Sequence, residues 1–333
     1  MLKSLSIPIT EPSQVGEARR VAQRLGNELG FDPSKVGDLG IIATEAGTNL
    51  YKHAKGGELI LRKLEENGNV GIEILSLDRG PGIAEVNKCL EDGYSTAGTA
   101  GNGLGSIKRL SSVFDIYSTR EGTALVSQLW PRTRSSTPYS LDIGAICLPY
   151  PGEVRCGDGW AFSQRDGVFT FMVVDGLGHG DHAADAADHA IELFKENGSL
   201  SPQVHLQKFH GALRSTRGAA VVVLQTDLRT QKITYSGIGN ISGGVVTGGA
   251  SKSFVSLNGT IGHQAQRFQE FAYEWSKGSF LIFHSDGLQT KWKLDGYPGL
   301  PVRHPSLLSG ILYRDFRRER DDVTVLIVRN TSK

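Results

Sequence analysis

The sequence predicts an α+β protein of two domains: a two-layer α/β sandwich followed by a β-sandwich covered by helices. At 333 residues the chain is long enough to bury two separate cores. A polar segment at 130–140, WPRTRSSTPYS, lies between two stretches of alternating apolar residues. The pattern therefore places a first domain at 1–131, a linker at 132–139 and a second domain at 140–333.

The first domain begins with an amphipathic helix from about Ser13. A second helix follows in FDPSKVGDLGIIATEAGTNLYKHAKGG, with Asp32 as N-cap, Pro33 in the first turn and a stop at Gly56. Two strands, ELILRKLEE and NVGIEILSLDRG, are joined by an ENGN turn. A glycine-rich stretch then leads into a short helix near 104–114 and two closing strands, DIYSTRE and TALVSQLW.

The second domain contains more strands than the first. Strand-like runs at LDIGAICLPY, EVRCGDGWAFSQRDG and VFTFMVVDG precede two helices near 181–197 and 202–214, the first with Asp181 as its predicted N-cap. The runs AAVVVLQTDLRTQKITYSGIG and GSFLIFHSDG, a helix near 304–317 and a final strand, DVTVLIV, complete it. Long antiparallel strands with paired helices indicate a helix-covered β-sandwich.

Composition excludes several classes of function. With 36 Lys and Arg against 35 Asp and Glu, the bulk charge predicts binding to neither nucleic acid nor an anionic membrane. No apolar run approaches the roughly 20 residues that cross a bilayer, and no signal peptide is visible. Three scattered cysteines form neither a disulfide framework nor a zinc knuckle and fit a reducing compartment, so we expect a cytoplasmic protein.

A first candidate site lies on the second helix, where Glu45 and Asn49 are one turn apart on the same face, followed by His53. An Asn oxygen suits a hydrated Mg²⁺, and a carboxylate beside it can accept a proton. Taken alone, the pair is better explained by an ordinary exposed helix face. Asp78, at the end of a strand in LDRGPGI, and DGYSTAGTAGNGLGSIKRL, ahead of a helix, add groups that suit adenine and polyphosphate.

The ordered set TEAGTN, DRGPGI, GNGLG and Gly122-Thr123 resembles the ATP-binding (Bergerat) fold shared by histidine kinases, gyrase and Hsp90-type proteins. It is most similar to the small serine kinases of the RsbT and RsbW kind that act on anti-sigma-factor antagonists. The resemblance implies ATP with Mg²⁺ as ligand and Glu45 as the general base for phosphoryl transfer. The residues that it assigns to the nucleotide and Mg²⁺ are Asn49, Asp78, Gly82, Gly101, Gly103, Gly105 and Thr123.

A second candidate site consists of aspartates at strand ends. They lie in CGDGW (Asp158), VVDGLGHG (Asp175), FHSDGL (Asp286) and RERDDVTVLIV (Asp321, Asp322). Each Asp-Gly alone is an ordinary turn, but carboxylates brought together repel one another unless cations neutralise them. Oxygen ligands favour Mg²⁺ or Mn²⁺ over Zn²⁺, and two bridged ions are one route to phosphate hydrolysis.

The motifs PGEVRCGDGW, DGLGHG, RGAAVVV, SDGL and RDDVTVLIV occur in the order typical of metal-dependent (PPM-type, type 2C) protein phosphatases, and resemble the SpoIIE and RsbX branch. The resemblance implies two packed sheets flanked by helices, two Mn²⁺ or Mg²⁺ ions, and Asp175 as both bridging ligand and catalytic residue. Further ligands would be the Gly176 carbonyl, Asp158, Asp286 and either Asp321 or Asp322. It provides no clear counterpart of the phosphate-binding Arg that many eukaryotic relatives have near the domain start.

The histidines that follow Asp175 also suggest a zinc site. His182 and His189 are more economically helix residues, whereas His179 would assist proton transfer or shape the loop.

Three functions follow as hypotheses. The first is a bifunctional Ser/Thr kinase and phosphatase acting on an STAS-domain partner, with a homodimer as an additional option. The second is a phosphatase whose first domain only senses nucleotide or docks a partner. The third is a non-catalytic binding module that sequesters an antagonist or a sigma factor.

Overall fold

The computed structural model describes residues 4–66, 68–90, 103–131, 141–165, 167–248 and 250–331. Contacts divide the chain into two compact units. Among the described residues, the first unit contains those of 4–131 and 299–314, and the second contains those of 141–298 and 315–331. No helix within the described ranges combines the length and the apolar character that crossing a bilayer requires.

The first unit is built on one antiparallel five-stranded sheet with the order β1-β2-β3-β5-β4. Its elements are β1 (Ser4–Ile9), α1 (Pro12–Glu28), α2 (Pro33–Ala54), β2 (Gly57–Glu66), β3 (Asn69–Leu77), α3 (Val86–Cys89), α4 (Gly103–Leu110), β4 (Val113–Thr119) and β5 (Gly122–Leu129). Apolar side chains of α1 and α2 pack with one face of this sheet in a single core. The predicted α/β layers are confirmed, whereas β1 and α3 are absent from the sequence prediction.

The second helix shows how local sequence sets its own limits. The Asp32 carboxylate accepts a hydrogen bond from the Lys35 amide at 2.9 Å, and Pro33 occupies the first turn. The helix ends at Lys55, whose φ of 60° is left-handed, and Gly56 continues with a φ of 127°. The apolar residues of this helix form a buried stripe, and its polar residues lie outside that stripe.

The second unit contains two five-stranded sheets, ordered β13-β10-β9-β8-β7 and β12-β11-β14-β15-β6. Its elements are β6 (Leu141–Leu148), β7 (Asp158–Arg165), β8 (Val168–Gly176), α5 (Asp181–Glu196), α6 (Pro202–Ala212), β9 (Ala219–Asp227), β10 (Lys232–Ile238), β11 (Ser242–Thr247), β12 (Ala250–Ser253), β13 (Phe271–Glu274), β14 (Phe280–His284) and β15 (Val323–Asn330). The strands β11 to β13 are not in the sequence prediction.

Residues of both sheets share one core, with Trp160, Phe171 and Val222 from one sheet and Leu281 and Leu326 from the other. The helices α5 and α6 form a second core with the first of these sheets. The predicted β-sandwich covered by helices is therefore confirmed. One cap prediction is wrong: α5 begins at Asp181, so the cap position belongs to Gly180, which has a φ of 73°.

The predicted C-terminal helix is present as α7 (Pro305–Phe316), but its environment differs from the expectation. The sequence places it in the second domain, whereas residues 299–314 group with the first unit. A Cβ on Gly310 would lie 2.9 Å from side-chain atoms of Leu75 and Leu77, so this helix packs closely on β3. The N-terminal sheet is therefore covered on a second face, which local pattern in the first 131 residues cannot reveal.

Candidate functional sites

A cavity of about 520 Å³ opens in the first unit beside α2. It is referred to as the α2 pocket, and its lining includes Asn49, Asp78, Gly82, Gly103 and Thr123. These five residues come from α2, the first turn of α4, the loop after β3 and the start of β5, and all five were assigned to a nucleotide and its Mg²⁺ from sequence. Gly105 is buried within α4, and Gly101 lies outside the described residues.

Glu45 lies one turn before Asn49 on α2 and, unlike Asn49, is not among the described residues that line the pocket. A Cβ on Gly103 would lie 2.8 Å from Glu45 Oε2 and 3.8 Å from Asn49 Oδ1. The first turn of α4 therefore approaches both side chains, and its glycine leaves room for them. This places a carboxylate, an amide oxygen and a helix N-terminus within one small volume.

Asp78 is held by backbone donors on both sides. Its Oδ1 accepts hydrogen bonds from the amides of Gly80 at 2.8 Å and Thr123 at 3.0 Å. Burial raises the pKa of Asp78, while these two backbone bonds and Arg314 act in the opposite direction. With Oδ1 engaged, Oδ2 is the oxygen left to accept a hydrogen bond from a ligand in the pocket.

The loop after Asp78 requires glycine at position 82. Gly82 has a φ of 73°, and a Cβ there would lie 1.8 Å from the Thr119 carbonyl oxygen. The next amide, that of Ile83, donates to Ser118 Oγ at 2.8 Å, and Ser118 Oγ lies 2.9 Å from Thr123 Oγ1. Sequence reasoning missed Ser118 because its β4 position carries no motif.

In the second unit the aspartates named from sequence lie at neighbouring strand ends. Asp158 and Asp175 are direct partners across β7 and β8. Asp286 follows β14, Asp321 and Asp322 precede β15, and those two strands pair with each other. Ser285 joins the groups, because its Oγ donates to Asp158 Oδ2 at 2.6 Å and accepts from the Thr324 amide at 3.0 Å. These five aspartates are referred to below as the acidic site.

Mutual repulsion is evident from the pKa values in the acidic site. Burial, followed by the charges of Asp286, Asp321 and Asp322, raises the pKa of Asp175 to about 8. Burial and the charge of Asp175 raise the pKa of Asp158 well above its usual range. Burial and Asp286 likewise raise the pKa of Asp321. Such carboxylates need compensating positive charge to be ionised together.

The two adjacent aspartates differ in their surroundings. Asp322 is 2% exposed and accepts a hydrogen bond from the Tyr150 amide through Oδ1 at 2.9 Å, and the Gly157 amide and the Cys156 thiol also stabilise its charged form. Asp321 interacts with the side chain of Asp286. Asp286 Oδ2 also accepts a hydrogen bond from Asn240 Nδ2 at 2.8 Å. The structure therefore separates a buried anchor of the β6–β7 loop from a carboxylate beside Asp286.

Gly176 leaves no room for a side chain, because a Cβ would lie 2.2 Å from the Ala183 carbonyl oxygen. Three residues further on, His179 Nδ1 lies 3.2 Å from Glu153 Oε1, and its ring stacks on Tyr150 at 4.5 Å. Among the described residues, no three Asp, Glu, His or Cys side chains converge closely enough to ligate one ion by themselves. Mg²⁺ commonly retains several waters and uses only one or two carboxylates, so pairs of these side chains suit it.

Family models match both halves of the chain. The model described as histidine kinase-like ATPase domain matches residues 9–128, and that of stage II sporulation protein E (SpoIIE) matches residues 165–331. The chain is 34% identical over 116 residues to the serine/threonine-protein kinase RsbT of Bacillus subtilis, covering 34% of this chain and 87% of RsbT. It is 26% identical over 139 residues to the phosphoserine phosphatase RsbX of the same organism, covering 41% and 69%.

Solved structures resemble more than half of the chain in fold. One, from work on the bacterial stressosome as a modular system adapted to control secondary messenger signalling, is 26% identical with a TM-score of 0.53. It covers 57% of this chain and is itself covered completely. RsbX in complex with magnesium is 21% identical with a TM-score of 0.51, covering 59% of this chain and 98% of RsbX.

Proposed function

Because the chain belongs to the SpoIIE family and carries a histidine kinase-like ATPase domain of the RsbT type, we propose that it is a two-site regulator of protein phosphorylation. Its C-terminal site would remove phosphate from serine or threonine of a partner protein. Its N-terminal site would transfer phosphate from ATP. The two activities would divide at the predicted linker, 132–139.

The phosphatase proposal is carried by the acidic site. Its carboxylates come from neighbouring strand ends, and burial together with mutual repulsion raises the pKa values of Asp158, Asp175 and Asp321. An all-oxygen donor set of this kind fits Mg²⁺ or Mn²⁺, and RsbX has been solved with magnesium. When bound, two such ions supply positive charge for the phosphoryl oxygens and activate water for attack at phosphorus.

Each residue of the acidic site has a distinct proposed task. Asp175 would hold both ions, the Gly176 carbonyl would be a further ligand, and Asp158 would support the first ion directly or through water. Asp286 and Asp321 would hold the second. We assign Asp322 to positioning, because it is buried and fixes the Tyr150 amide.

The phosphatase test follows Mn²⁺- and Mg²⁺-dependent hydrolysis of p-nitrophenyl phosphate. Asp175→Asn and Asp286→Asn should each lower kcat at least about 100-fold, since each removes a charge that holds the ions. Calorimetric Mn²⁺ binding should weaken in both variants. The control is Asp227→Asn, in the β9–β10 hairpin, where Arg229 pairs with the carboxylate. Full hydrolysis by Asp175→Asn, or hydrolysis without a divalent cation, would refute the proposal.

The kinase proposal is supported by the contacts of Gly103 with Glu45 and Asn49. Asn49 Oδ1 would hold Mg²⁺ at the phosphates, and Asp78 Oδ2 would accept a hydrogen bond from the adenine amino group. The glycines at the start of α4 would lie against the phosphates. Glu45 would accept the proton of the attacking serine or threonine hydroxyl as the phosphoryl group is transferred.

Glu45→Gln separates chemistry from binding, because it keeps the shape of the side chain but removes the base. We expect unchanged ATP affinity and phosphate transfer at least about 100-fold slower. Asn49→Ala should weaken Mg²⁺-dependent ATP binding itself. If the wild-type chain transfers no phosphate, or if Glu45→Gln transfers it equally well, the first domain is a nucleotide-sensing or docking module.

The proposed partner is an STAS-domain protein of a partner-switching or stressosome-type pathway. Support comes from the combination of RsbT and RsbX relatives and from the stressosome structure. A kinase that depends on ATP would act in the cytoplasm, where ATP is present. Incubation with candidate STAS proteins, ATP and Mg²⁺ or Mn²⁺, followed by mass spectrometry, identifies phosphate added or removed. If the masses of the STAS proteins stay unchanged while the chain still hydrolyses p-nitrophenyl phosphate, this partner class is excluded but the phosphatase activity is not.

A further inference from the structure

Arg217 lies at the same sheet edge as Asp175. The strands β8 and β9 pair with Asp175 opposite Ala220 and Gly176 opposite Ala219. The pairing continues past the strand ends, because the Leu177 amide donates to the Gly218 carbonyl at 3.0 Å. Continuing this register places Arg217 opposite Gly178, in the loop that follows Asp175.

The Arg217 side chain lies over that loop. A Cβ on Gly178, whose φ is 84°, would be 3.1 Å from Arg217 Nη1, so the guanidinium rests where a side chain would otherwise project. Its backbone is fixed on both sides. The Gly218 amide donates to Thr216 Oγ1 at 3.0 Å, and the Thr216 carbonyl lies 3.0 Å from His263 Nε2.

Arg217 is exposed and forms no ion pair with any described residue. By contrast, Arg155 forms ion pairs with Asp181, Asp185 and Asp188 of α5. A guanidinium that lies against the loop after Asp175 and forms no ion pair with a described residue has two explanations. It packs on the loop backbone, or it binds an anion that must approach the acidic site.

We propose that Arg217 binds the phosphoryl oxygens of the phosphoserine or phosphothreonine substrate at the entrance to the acidic site, which rests on the phosphatase function proposed above. A phosphate monoester carries negative charge into a cluster of carboxylates. A guanidinium at the rim offsets that repulsion, and its planar fork matches two phosphoryl oxygens. Lysine offers a charge of the same sign without the fork.

The kinetic test compares Arg217→Ala and Arg217→Lys with wild type on a phosphoserine peptide in Mn²⁺. For Arg217→Ala we expect KM to rise about 10- to 100-fold, the range of a lost charged hydrogen bond, while kcat changes less than about threefold. Arg217→Lys should recover part of the loss. Arg214→Ala is the matched control, because it removes an exposed arginine three positions earlier in the same connection.

A second measurement does not depend on turnover. Calorimetric binding of inorganic phosphate to the full chain in Mn²⁺ should weaken about 10-fold or more in Arg217→Ala and stay unchanged in Arg214→Ala. Equal phosphate binding by wild type and Arg217→Ala, or no binding by wild type, overturns the assignment. An equal loss of phosphate binding in Arg217→Ala and Arg214→Ala also overturns it. A wild type that binds phosphate through Arg217 but hydrolyses no peptide refutes the phosphatase function alone.

Discussion

Gly82 and Gly30 have the same backbone conformation in different surroundings. Gly82 has a φ of 73° and a Cβ position 1.8 Å from the Thr119 carbonyl oxygen, whereas Gly30 has a φ of 74° and open space around it. Both carry the conformational cost of a left-handed residue, but only Gly82 carries a steric cost as well. Substituting each of these two glycines therefore separates the conformational cost from the steric cost.

Gly30→Ala should lower the free energy of unfolding by about 1 kcal/mol and leave ATP affinity unchanged. Gly82→Ala should lower it by more than about 2 kcal/mol, because β4 must also move, and should abolish ATP binding. Chemical denaturation and titration with a fluorescent ATP analogue measure the two effects. Equal losses in both variants would contradict the steric argument.

His205 is a buried histidine whose role is packing. Its ring lies between Phe194 and Phe209, with centroids 5.1 and 5.5 Å away, and neither ring nitrogen has a hydrogen-bond partner. Burial lowers the pKa of His205 to about 4, with Lys208 adding to the shift.

Between pH 6.5 and 4 the unfolded chain binds a proton at His205 that the folded chain does not, so this residue destabilises the fold as pH falls. His205→Leu should therefore flatten the dependence of unfolding free energy on pH across that window. At pH 7 it should be neutral or stabilising. Urea denaturation at pH 7 and 5 tests this, with exposed His182→Leu as the control. If the pH dependence of the unfolding free energy is unchanged in His205→Leu, His205 is not the source of the loss of stability at low pH.

At the scale of elements, α7 completes a polar cluster on the N-terminal sheet. Glu73 is 2% exposed and accepts hydrogen bonds from Arg62 at 2.8 Å, Gln128 at 2.7 Å and Ser306 at 2.6 Å. Burial opposes ionisation of Glu73, but the charges of Arg62 and His304 and the hydrogen bonds from Ser306 and Arg62 hold its pKa below the usual value. A buried carboxylate tolerates ionisation only with such partners.

Ser306→Ala removes one of these partners from a buried charge and should lower the unfolding free energy by about 1–3 kcal/mol. Ser309→Ala, one turn later, removes a bond to the Ser306 carbonyl within the same helix and should cost less than about 1 kcal/mol. Denaturant unfolding of the full chain compares them. A greater loss in Ser309→Ala would contradict the role assigned to Glu73.

At the scale of the whole chain, Arg314 and Arg318 are only four positions apart in sequence, and each makes a hydrogen bond near a different candidate site. Arg314 donates to the Asp78 carbonyl at 2.7 Å, beside the α2 pocket. The Arg318 amide donates to the Gly287 carbonyl at 2.7 Å, next to Asp286. The chain runs directly from one contact to the other, so a change at Asp78 has a short covalent route to the acidic site.

We therefore expect ADP or ATP to change the phosphatase kcat/KM of the wild type about 5-fold or more, the lower end of usual coupling between sites. Arg314→Ala should remove this response while leaving the nucleotide-free rate within about twofold. Arg303→Ala is the control, because Arg303 bonds Asp115 on β4 at 3.1 Å instead. A nucleotide response that persists in Arg314→Ala would exclude this route. Homodimerisation stays a prediction from sequence.

The sequence by itself determined most of the helices and the longer strands, though not β1, α3 or β11 to β13, and it named most of the candidate site residues. Glu45 and Asn49 share a helix face by periodicity, and each acidic-site aspartate lies beside a strand whose apolar pattern is local. Only the tertiary structure decided the surroundings of α7, Arg217 and Arg314, because these depend on contacts between distant segments. It also separated Asp321 from Asp322, since burial and a bond to Tyr150 distinguish two residues that are adjacent in sequence. Local pattern specifies which way a side chain faces on its own element, whereas packing specifies what it meets there.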